Sequence, residues 1–483
     1  MTECLSVPAE INEECGVFGV YLNQEYAQKI KFNAEASRMA FFGIFSLQHR
    51  GQESAGIATS DGEIIYSFRK MGMVTQIFDE KKLRTLKGHV AIAHTRYSTT
   101  GASVKRNIQP MRCECKYGEI ALAHNGDLVN AAEIRRKLIA KGISFDTTND
   151  SEVILKLISI SEKETIEEAI SETMNVVKGA YAVVIMTKNS LIAFKDPFGI
   201  RPLCIGKLNG DGFAIASESC AFNTIGGDMI REMEPGEIVT IDKDGIKSMI
   251  GQEKKGSALC IFEFIYFARP DSVLNGTPVH LARKRMGIEL AKEHSIEGCD
   301  LVFPIPNTGN LAAVGLAEAS GIPYTEAVIK NHYIHRTFIR PNQKMRDKGV
   351  KMKLSPLKEL LEGKKVVMVD DSIVRGTTIG KTVDLIREAG AKEVHVRIAS
   401  PMYLYPCFYG IDTCNRTELI AARMNLEEIR QHIGADSLGY LSLDGLFKAV
   451  GQDAVFNCCA ACLSGKYPVE VSEELKKNKH LFD

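Results

Sequence analysis

No stretch of this chain approaches the roughly twenty consecutive apolar residues that a membrane-spanning helix needs. Net charge is missing as well. Sixty Lys and Arg balance sixty Asp and Glu, so no global field draws the protein toward nucleic acid or a membrane surface. Any anionic ligand must therefore be held by a local cluster. The opening residues, MTECLSVPAEINEE, have neither the basic nor the apolar region of a secretory signal. There is no internal repeat and no low-complexity segment. The expectation is a cytoplasmic protein whose partners are small molecules, with no nucleic acid and no membrane.

What is present is the mixture of an ordinary globular protein, 45% hydrophobic and 25% charged. At 483 residues the chain is too long for one core and points to roughly two to four domains. Thirteen cysteines in a cytosolic chain are expected to be thiols rather than disulfides.

The two halves follow different patterns. Up to about residue 245, GEIIYSF (62–68), HVAIAH (89–94), GEIALAHNGDL (118–128), AYAVVIMT (180–187) and LIAFKD (191–196) read as strands. Residues 130–142 and 151–179 carry helical spacing and end at glycines. Strands with hairpin turns and a few long helices suggest an antiparallel α+β domain. In the second half, DLVFPIP (300–306), KVVMVDD (365–371) and EVHVRIASP (393–401) are apolar strands. The first two each lead into a Gly/Thr loop and a helical stretch, the α/β rhythm of a parallel sheet. IKSMIGQEKKGSA (246–258) is the most linker-like span between them.

In INEECGVFGVY (11–21) a cysteine stands at the edge of an apolar strand. Such a thiol can simply be a small buried side chain. Alternatively, Cys15 is the first residue of a mature enzyme and residues 1–14 are removed. Hydrolysis of an amide needs a strong nucleophile, a base and an oxyanion site. An N-terminal cysteine supplies two of these, because its α-amine, with a pKa of about 7.7–8.0, can take the thiol proton near neutral pH. HNGDL (124–128) offers an oxyanion hole from the Asn125 side chain and the Gly126 N–H, although Asn-Gly between apolar runs is equally a hairpin-turn signal. Arg96, at the end of an apolar strand, suits either a substrate carboxylate or a surface ion pair. Asp150 starts a helix, which suits either an N-cap charge or a partner for a substrate ammonium.

Taken together, CGVFGV, LQHRGQESAGIA (47–58), HTRYST, HNGDL and NDSE resemble, in that order, the motifs of the N-terminal-nucleophile glutamine amidotransferases. The resemblance covers about 15–245 and implies a four-layer αββα glutaminase domain. It implies Cys15 as nucleophile, Asn125 and Gly126 as oxyanion donors, and Arg50, Gly51, Arg96 and Asp150 as the residues that hold glutamine. It also implies that residues 1–14 are a propeptide removed by self-cleavage. The family more often has Asn where Asp127 stands.

KVVMVDDSIVRGTTIGKTV (365–383) delivers two carboxylates at the end of an apolar strand and then opens a helix with a Ser/Gly/Thr loop. Backbone N–H groups at such a helix start form an anion site, and paired carboxylates suit ribose hydroxyls or a Mg²⁺ that bridges phosphates. The segment resembles the phosphoribosyl-pyrophosphate (PRPP) motif of type I phosphoribosyltransferases. With FEFIYFARPDS (262–272) and residues 331–356, it is similar to the amidophosphoribosyltransferase family. That resemblance runs from Cys15 to about Tyr467, with a transferase domain over 259–467 and a tail over 468–483. It implies a PRPP site of Asp370, Asp371, Ser372, Arg375, Gly376, Thr377 and Thr378, with Mg²⁺ near Thr308, Asp370 and Asp371. In the pyrophosphate loop PIPNTGN (304–310), relatives have an acid where Asn307 stands. Between Arg336 and Lys353 seven Lys/Arg accompany a single Asp, a basic loop suited to closing over a pyrophosphate. By resemblance, that closure completes an ammonia channel.

Cys459 and Cys462 have C-x-x-C spacing, which by itself fits zinc, redox chemistry or neither. One branch of the amidophosphoribosyltransferases carries a structural [4Fe-4S] cluster, and its cysteine contexts match Cys260, Cys407, Cys459 and Cys462. Cys458 and Cys414 stand close in sequence, while Cys113 and Cys115 are read as structural. The family also implies a homotetramer or dimer, and inhibition by purine nucleotides.

The implied activity is transfer of the glutamine amide nitrogen to PRPP, the first committed step of purine synthesis. Two other readings stay open here. One is an amidotransferase whose first domain serves an isomerase or synthetase, against which the 365–383 motif argues. The other is a non-catalytic nucleotide-binding regulator with a transferase fold, which Asn307 alone favours.

Overall fold

A computed structural model describes residues 15–23, 35–97, 104–209, 212–331, 353–413, 416–451 and 453–477. The leader 1–14, most of the basic loop 336–353, Cys414 and the last residues of the tail lie outside the described residues.

The central strands of the first domain, Gly16–Leu22, Ser54–Ser60, Val90–Arg96 and Gly179–Met186, are short and buried on both sides. Its first eight strands are β1 (Gly16–Leu22), β2 (Ser54–Ser60), β3 (Ile65–Met71), β4 (Val90–Arg96), β5 (Met111–Cys115), β6 (Gly118–Leu128), β7 (Gly179–Met186) and β8 (Leu191–Lys195). They are followed by β9 (Cys204–Leu208), β10 (Gly212–Ala216), β11 (Gly227–Glu232), β12 (Glu237–Asp242) and β13 (Gly245–Ile250). Among the described residues they form a seven-stranded sheet, β11-β9-β10-β1-β4-β2-β3, and a six-stranded sheet, β13-β12-β8-β7-β6-β5.

The alternation of β1 shows how the layers arise, since neighbouring side chains on a strand point to opposite faces. Val17 and Tyr21 pack with Ala121, Ala182 and Val184 of the other sheet, whereas Phe18 and Val20 pack with Ala36, Ala40 and Ile44 of helix α1 (Glu35–Ser46). On the far side, α2 (Ala131–Ala140), α3 (Ser151–Ile160) and α4 (Ile166–Val176) cover Ile120, Leu122 and Val183. Helix, sheet, sheet and helix make the four-layer αββα arrangement.

Two expectations change here. The helical stretch 151–179 is two helices, because Thr165 begins a new one with a capping box to Glu168. The span 246–258 is not a free linker. Its first residues form β13, which pairs with β12. The rest is fastened by Lys255 N–H to Pro197 O at 2.9 Å and Ala258 N–H to Phe198 O at 2.8 Å.

In the second domain, β15 (Leu301–Pro304), β16 (Lys365–Asp370), β17 (Glu393–Ile398) and β18 (Ser437–Tyr440) form a parallel sheet, preceded in the chain by β14 (Leu259–Cys260). Helices α5 (Val279–Glu293), α6 (Asn310–Ser320) and α7 (Thr377–Glu388) connect and cover it. Late in the chain, β19 (Cys458–Cys459) pairs in parallel with β14. The two domains share a core: Ala180 and Ile200 of the first pack with Phe262 and Phe264 of the second. No helix among the described residues is long and apolar enough to cross a membrane.

Candidate active sites

Cys15 immediately precedes β1, and the register that pairs Gly16 with Thr95 sets it beside Arg96, the last residue of β4. The thiol is buried and donates to Tyr97 O at 3.5 Å. Burial pushes it up to about 12 against the pull of the Arg96 cation. At neutral pH such a thiol is almost wholly protonated, so a base is needed to make it a nucleophile.

Asn125 and Gly126 lie inside β6, opposite Ala182 and Tyr181 of β7, and not at a turn. The hairpin reading of Asn-Gly is thereby overturned. Glycine is required for another reason: Gly126 has φ +131°, and a Cβ there would fall 2.1 Å from Ala180 O. Asn125 Nδ2 is buried and has no hydrogen-bond partner among the described residues. A buried donor left unpaired costs about 1–3 kcal/mol, so this amide is poised to receive an acceptor from outside the protein.

Asp150 stands at the N-cap of α3 but makes no side-chain bond to it. Its Oδ2 instead accepts from Leu128 N–H at 2.9 Å, and its Oδ1 is 3.8 Å from His124 Nδ1. Burial raises the carboxyl to about 6, opposed by the Leu128 N–H and the Arg96 charge. Arg96 is thus within electrostatic reach of both the thiol and this carboxylate.

Two histidines missed in the sequence brace this floor. His94 Nε2 donates to His124 O at 3.1 Å, tying β4 to β6, and His124 Nδ1 meets Ser151 Oγ at 2.9 Å. Burial holds His94 down to about 3 and His124 to about 4, so both are neutral near pH 7. The signal was their place inside HTRYST and HNGDL.

Gly51 lies against the same wall: Thr95 Oγ1 donates to its carbonyl at 2.5 Å, and a Cβ on it would fall 2.6 Å from the Arg96 carbonyl carbon. Arg50 departs from expectation. Its guanidinium is fully buried between Glu218 and Glu263, with Nε 2.5 Å from Glu218 Oε1. Two carboxylates out of water hold a guanidinium more firmly than a substrate that comes and goes, so its side chain belongs to the domain boundary.

In the second domain the ends of β15 and β16 meet. Ile305 N–H donates to Val369 O at 2.8 Å, and a Cβ on Gly309 would fall 2.6 Å from the same carbonyl. This brings Thr308 to Asp371, whose Oδ2 accepts from the Thr308 hydroxyl. Ser372 Oγ donates to Asp371 Oδ1 at 2.5 Å, and Asp370 Oδ1 accepts from the Asp371 N–H at 2.9 Å. Gly376, at φ +81°, turns the loop into α7, whose first residues are Thr377 and Thr378. Arg375 leans outward to Glu418, 2.7 Å away.

The four cysteines singled out in the second half are all buried free thiols of one core. The parallel register of β14 and β19 sets Cys260 beside Cys459. Cys407 and Cys459 lie within electrostatic reach of both Cys260 and Cys462. Among the described residues no three His, Cys, Asp or Glu side chains are grouped closely enough to hold a single metal ion.

Comparison with known proteins matches residues 94–224 to a glutamine amidotransferase domain and residues 284–402 to a phosphoribosyl transferase domain. The amidophosphoribosyltransferase of Bacillus subtilis is 46% identical over 468 residues, 96% of this chain and 96% of the relative. That of Methanocaldococcus jannaschii is 46% identical over 478 residues, 95% of this chain and 98% of the relative. Among solved structures, the B. subtilis glutamine PRPP amidotransferase complexed with ADP and GMP superposes with a TM-score of 0.88 at 45% identity, covering 95% of this chain and 98% of that one. Similarity of this extent, over both sites and the segment that joins them, shows that the chain belongs to the amidophosphoribosyltransferase family.

Proposed function

We propose that the two sites work in series, the first releasing ammonia from glutamine and the second adding it to PRPP. The chain is a glutamine-dependent pentosyltransferase of purine biosynthesis, giving 5-phosphoribosylamine, glutamate and diphosphate. The observation that carries the residue-level reading is the buried, unpartnered Asn125 Nδ2 on the strand tied to Arg96 and the Cys15 thiol.

In this reading residues 1–14 are a leader cut at Glu14–Cys15, domains span 15–245 and 259–467, and the freed α-amine takes the thiol proton. The thiolate attacks the glutamine amide carbon, and Asn125 Nδ2 and the Gly126 N–H receive the oxyanion. Collapse to a thioester expels ammonia, which carries away the proton held by the amine. Water then cleaves the thioester to glutamate. Arg96 pairs with the substrate carboxylate and Asp150 with its ammonium.

At the second site Asp370 and Asp371 face the ribose hydroxyls. Ser372 to Thr378, at the start of α7, take the 5-phosphate, and the Thr308 loop takes the diphosphate. The oxygen donors of Thr308, Asp370 and Asp371 fit Mg²⁺, which when bound neutralises the departing diphosphate. Ammonia bonds to C1 as the C1–O bond to diphosphate breaks, so the protein's task is positioning and charge support.

Cys260, Cys407, Cys459 and Cys462, four buried free thiols of one core, supply the four thiolate donors that a [4Fe-4S] cluster needs. Such a group would cross-link the start and end of the second domain. Purine nucleotides are the expected inhibitors, in keeping with the ADP and GMP in the B. subtilis structure.

The test uses glutamine labelled with ¹⁵N in its amide, together with PRPP and Mg²⁺. The label is expected in phosphoribosylamine. Diphosphate release with no transfer of label would sink the serial reading.

A further inference from the structure

We propose that a cleft on the boundary between the two domains binds a basic α-amino acid such as lysine. Lys195 takes its carboxylate, Glu232 its α-ammonium and Asp453 its side-chain cation. The cleft has a volume of about 350 Å³, enough for a small molecule. Among the described residues, its walls include none of those assigned above to glutamine or PRPP.

The first domain supplies one wall. Lys195 is the last residue of β8 and Glu232 the last of β11, so each stands where a strand of a different sheet ends. Lys195 is only 4% exposed, and its Nζ donates to the carbonyl of Met233, the neighbour of Glu232, at 3.2 Å. Among the described residues that is its single hydrogen bond, although an ammonium carries three donors. Gly199, at φ +64°, leaves the space beside this ammonium open, since a Cβ there would fall 3.2 Å from Nζ. The second domain supplies the facing wall, with Thr277, Val450 and Asn457 among its residues. From that side the N–H of Asn275 donates to Glu232 Oε1 at 2.5 Å. This bond fixes the carboxylate across the boundary and leaves Oε2 without a hydrogen bond among the described residues. Asp453 stands exposed at the rim.

The charges on these walls select the ligand. Lys254 and Glu234 also line the cleft, but they pair with one another at 3.0 Å. Asp196, next to Lys195 in the chain, is committed to the N–H groups of Tyr181, Phe198 and Ile200. One cation, Lys195, and two carboxylates, Glu232 and Asp453, remain. A buried ammonium with unused donors calls for an anion, and the carboxylates call for two cations. A zwitterion with one further positive charge meets all three. Other ligand classes fit less well. No three His, Cys, Asp or Glu side chains among the described residues are grouped to hold a metal ion. A nucleotide base finds no ring to stack on, because Phe264, the one aromatic residue among those described that line the cleft, is fully buried. A phosphate would face a single uncommitted cation beside two carboxylates. Since the walls come from both domains, a bound ligand stabilises their contact in step with its occupancy.

The test is equilibrium dialysis of ¹⁴C-labelled L-lysine against the full chain. Saturable binding is expected at about 1 mM or tighter. L-norleucine has the same carbon chain without the side-chain ammonium and should bind about two- to fivefold more weakly. Asp453→Asn, a change at an exposed position, should bring L-lysine down to the level of L-norleucine and leave L-norleucine itself unaffected. Glu232→Gln and Lys195→Met should weaken both ligands by at least about tenfold. Should Lys195→Met fail to fold, Glu232→Gln and Asp453→Asn decide between them. Asp150→Asn, in the glutamine site, should leave L-lysine binding as it was. The proposal is overturned by a wild type that shows no saturable binding up to about 10 mM, or that does not distinguish L-lysine from L-norleucine. Binding that survives Glu232→Gln and Asp453→Asn also overturns it. So does binding lost in Asp150→Asn, which would assign the lysine to the glutamine site.

Discussion

The N–H of Leu128 and the carboxylate of Asp150 are joined at 2.9 Å, so the end of the strand that carries Asn125 is pinned to the group proposed to meet the substrate ammonium. Because burial lifts that carboxyl to about 6, it is ionised above this pH and neutral below it. Only the ionised form pairs with an ammonium. For glutamine, kcat/KM should therefore show a second fall as the pH drops through about 6, below the one expected where the Cys15 α-amine gains its proton at about 7.7–8.0. Asp150→Asn should raise glutamine KM and erase that limb of the profile. A profile identical in wild type and variant would remove Asp150 from the site.

Asn125→Ala takes away a donor aimed at the transition state rather than at the ground state. Glutamine-dependent kcat should fall by about 10²–10³-fold, with KM little changed. Ammonia-dependent turnover is the control and should be untouched. A drop in both would point to a folding defect instead.

Cys15 should be slow to alkylate while residues 1–14 are attached, since burial holds its thiol near 12. Removal of the leader places an amine beside the sulfur and should speed labelling by iodoacetamide. Intact mass read alongside gives the cleavage state, and mature protein is expected to begin at Cys15. Equal labelling rates before and after cleavage would mean that the amine does not activate the thiol.

Arg50→Met leaves Glu218 and Glu263 buried without their shared counter-charge. Loss of one partner from such a group costs about 3–5 kcal/mol, measurable by urea denaturation. Pairing it with Glu263→Gln should cost less than the sum of the two single changes, because the second removes a charge that the first had stranded. Additive costs would show that the two residues do not interact.

Cys459→Ser should lower iron and acid-labile sulfide together in protein purified without oxygen, and should weaken visible absorbance. Air should bleach the wild type and inactivate it in parallel. Full iron and sulfide in the variant would take Cys459 out of the ligand set.

How far the sequence was legible depended on the range of the interaction. β6 was read at its observed limits, 118–128, because alternation is a local signal. Asn125-Gly126, in contrast, resembled a turn. What demands glycine there is Ala180 O on a neighbouring strand, a contact that no local pattern announces. Arg50 was grouped with the glutamine ligands by its motif, yet its partner Glu263 is 213 positions away. β13 was taken for a linker because its exposed edge residues carry no apolar alternation. The break before α4 was readable in principle, since TIEE is a capping box in plain letters.

The pairing of β14 with β19 bears on how the molecule is made. A ribosome delivers Leu259 and Cys260 long before Cys458 and Cys459, and domains tend to fold in the order in which they emerge. The first domain can therefore be complete while Cys260 still waits, its neighbour not yet translated. A nascent chain cut short before Cys458 would hold a finished glutaminase body with no closed partner for it. Assembly of the second half is thus an event at the end of translation, and ammonia production is best silenced until then.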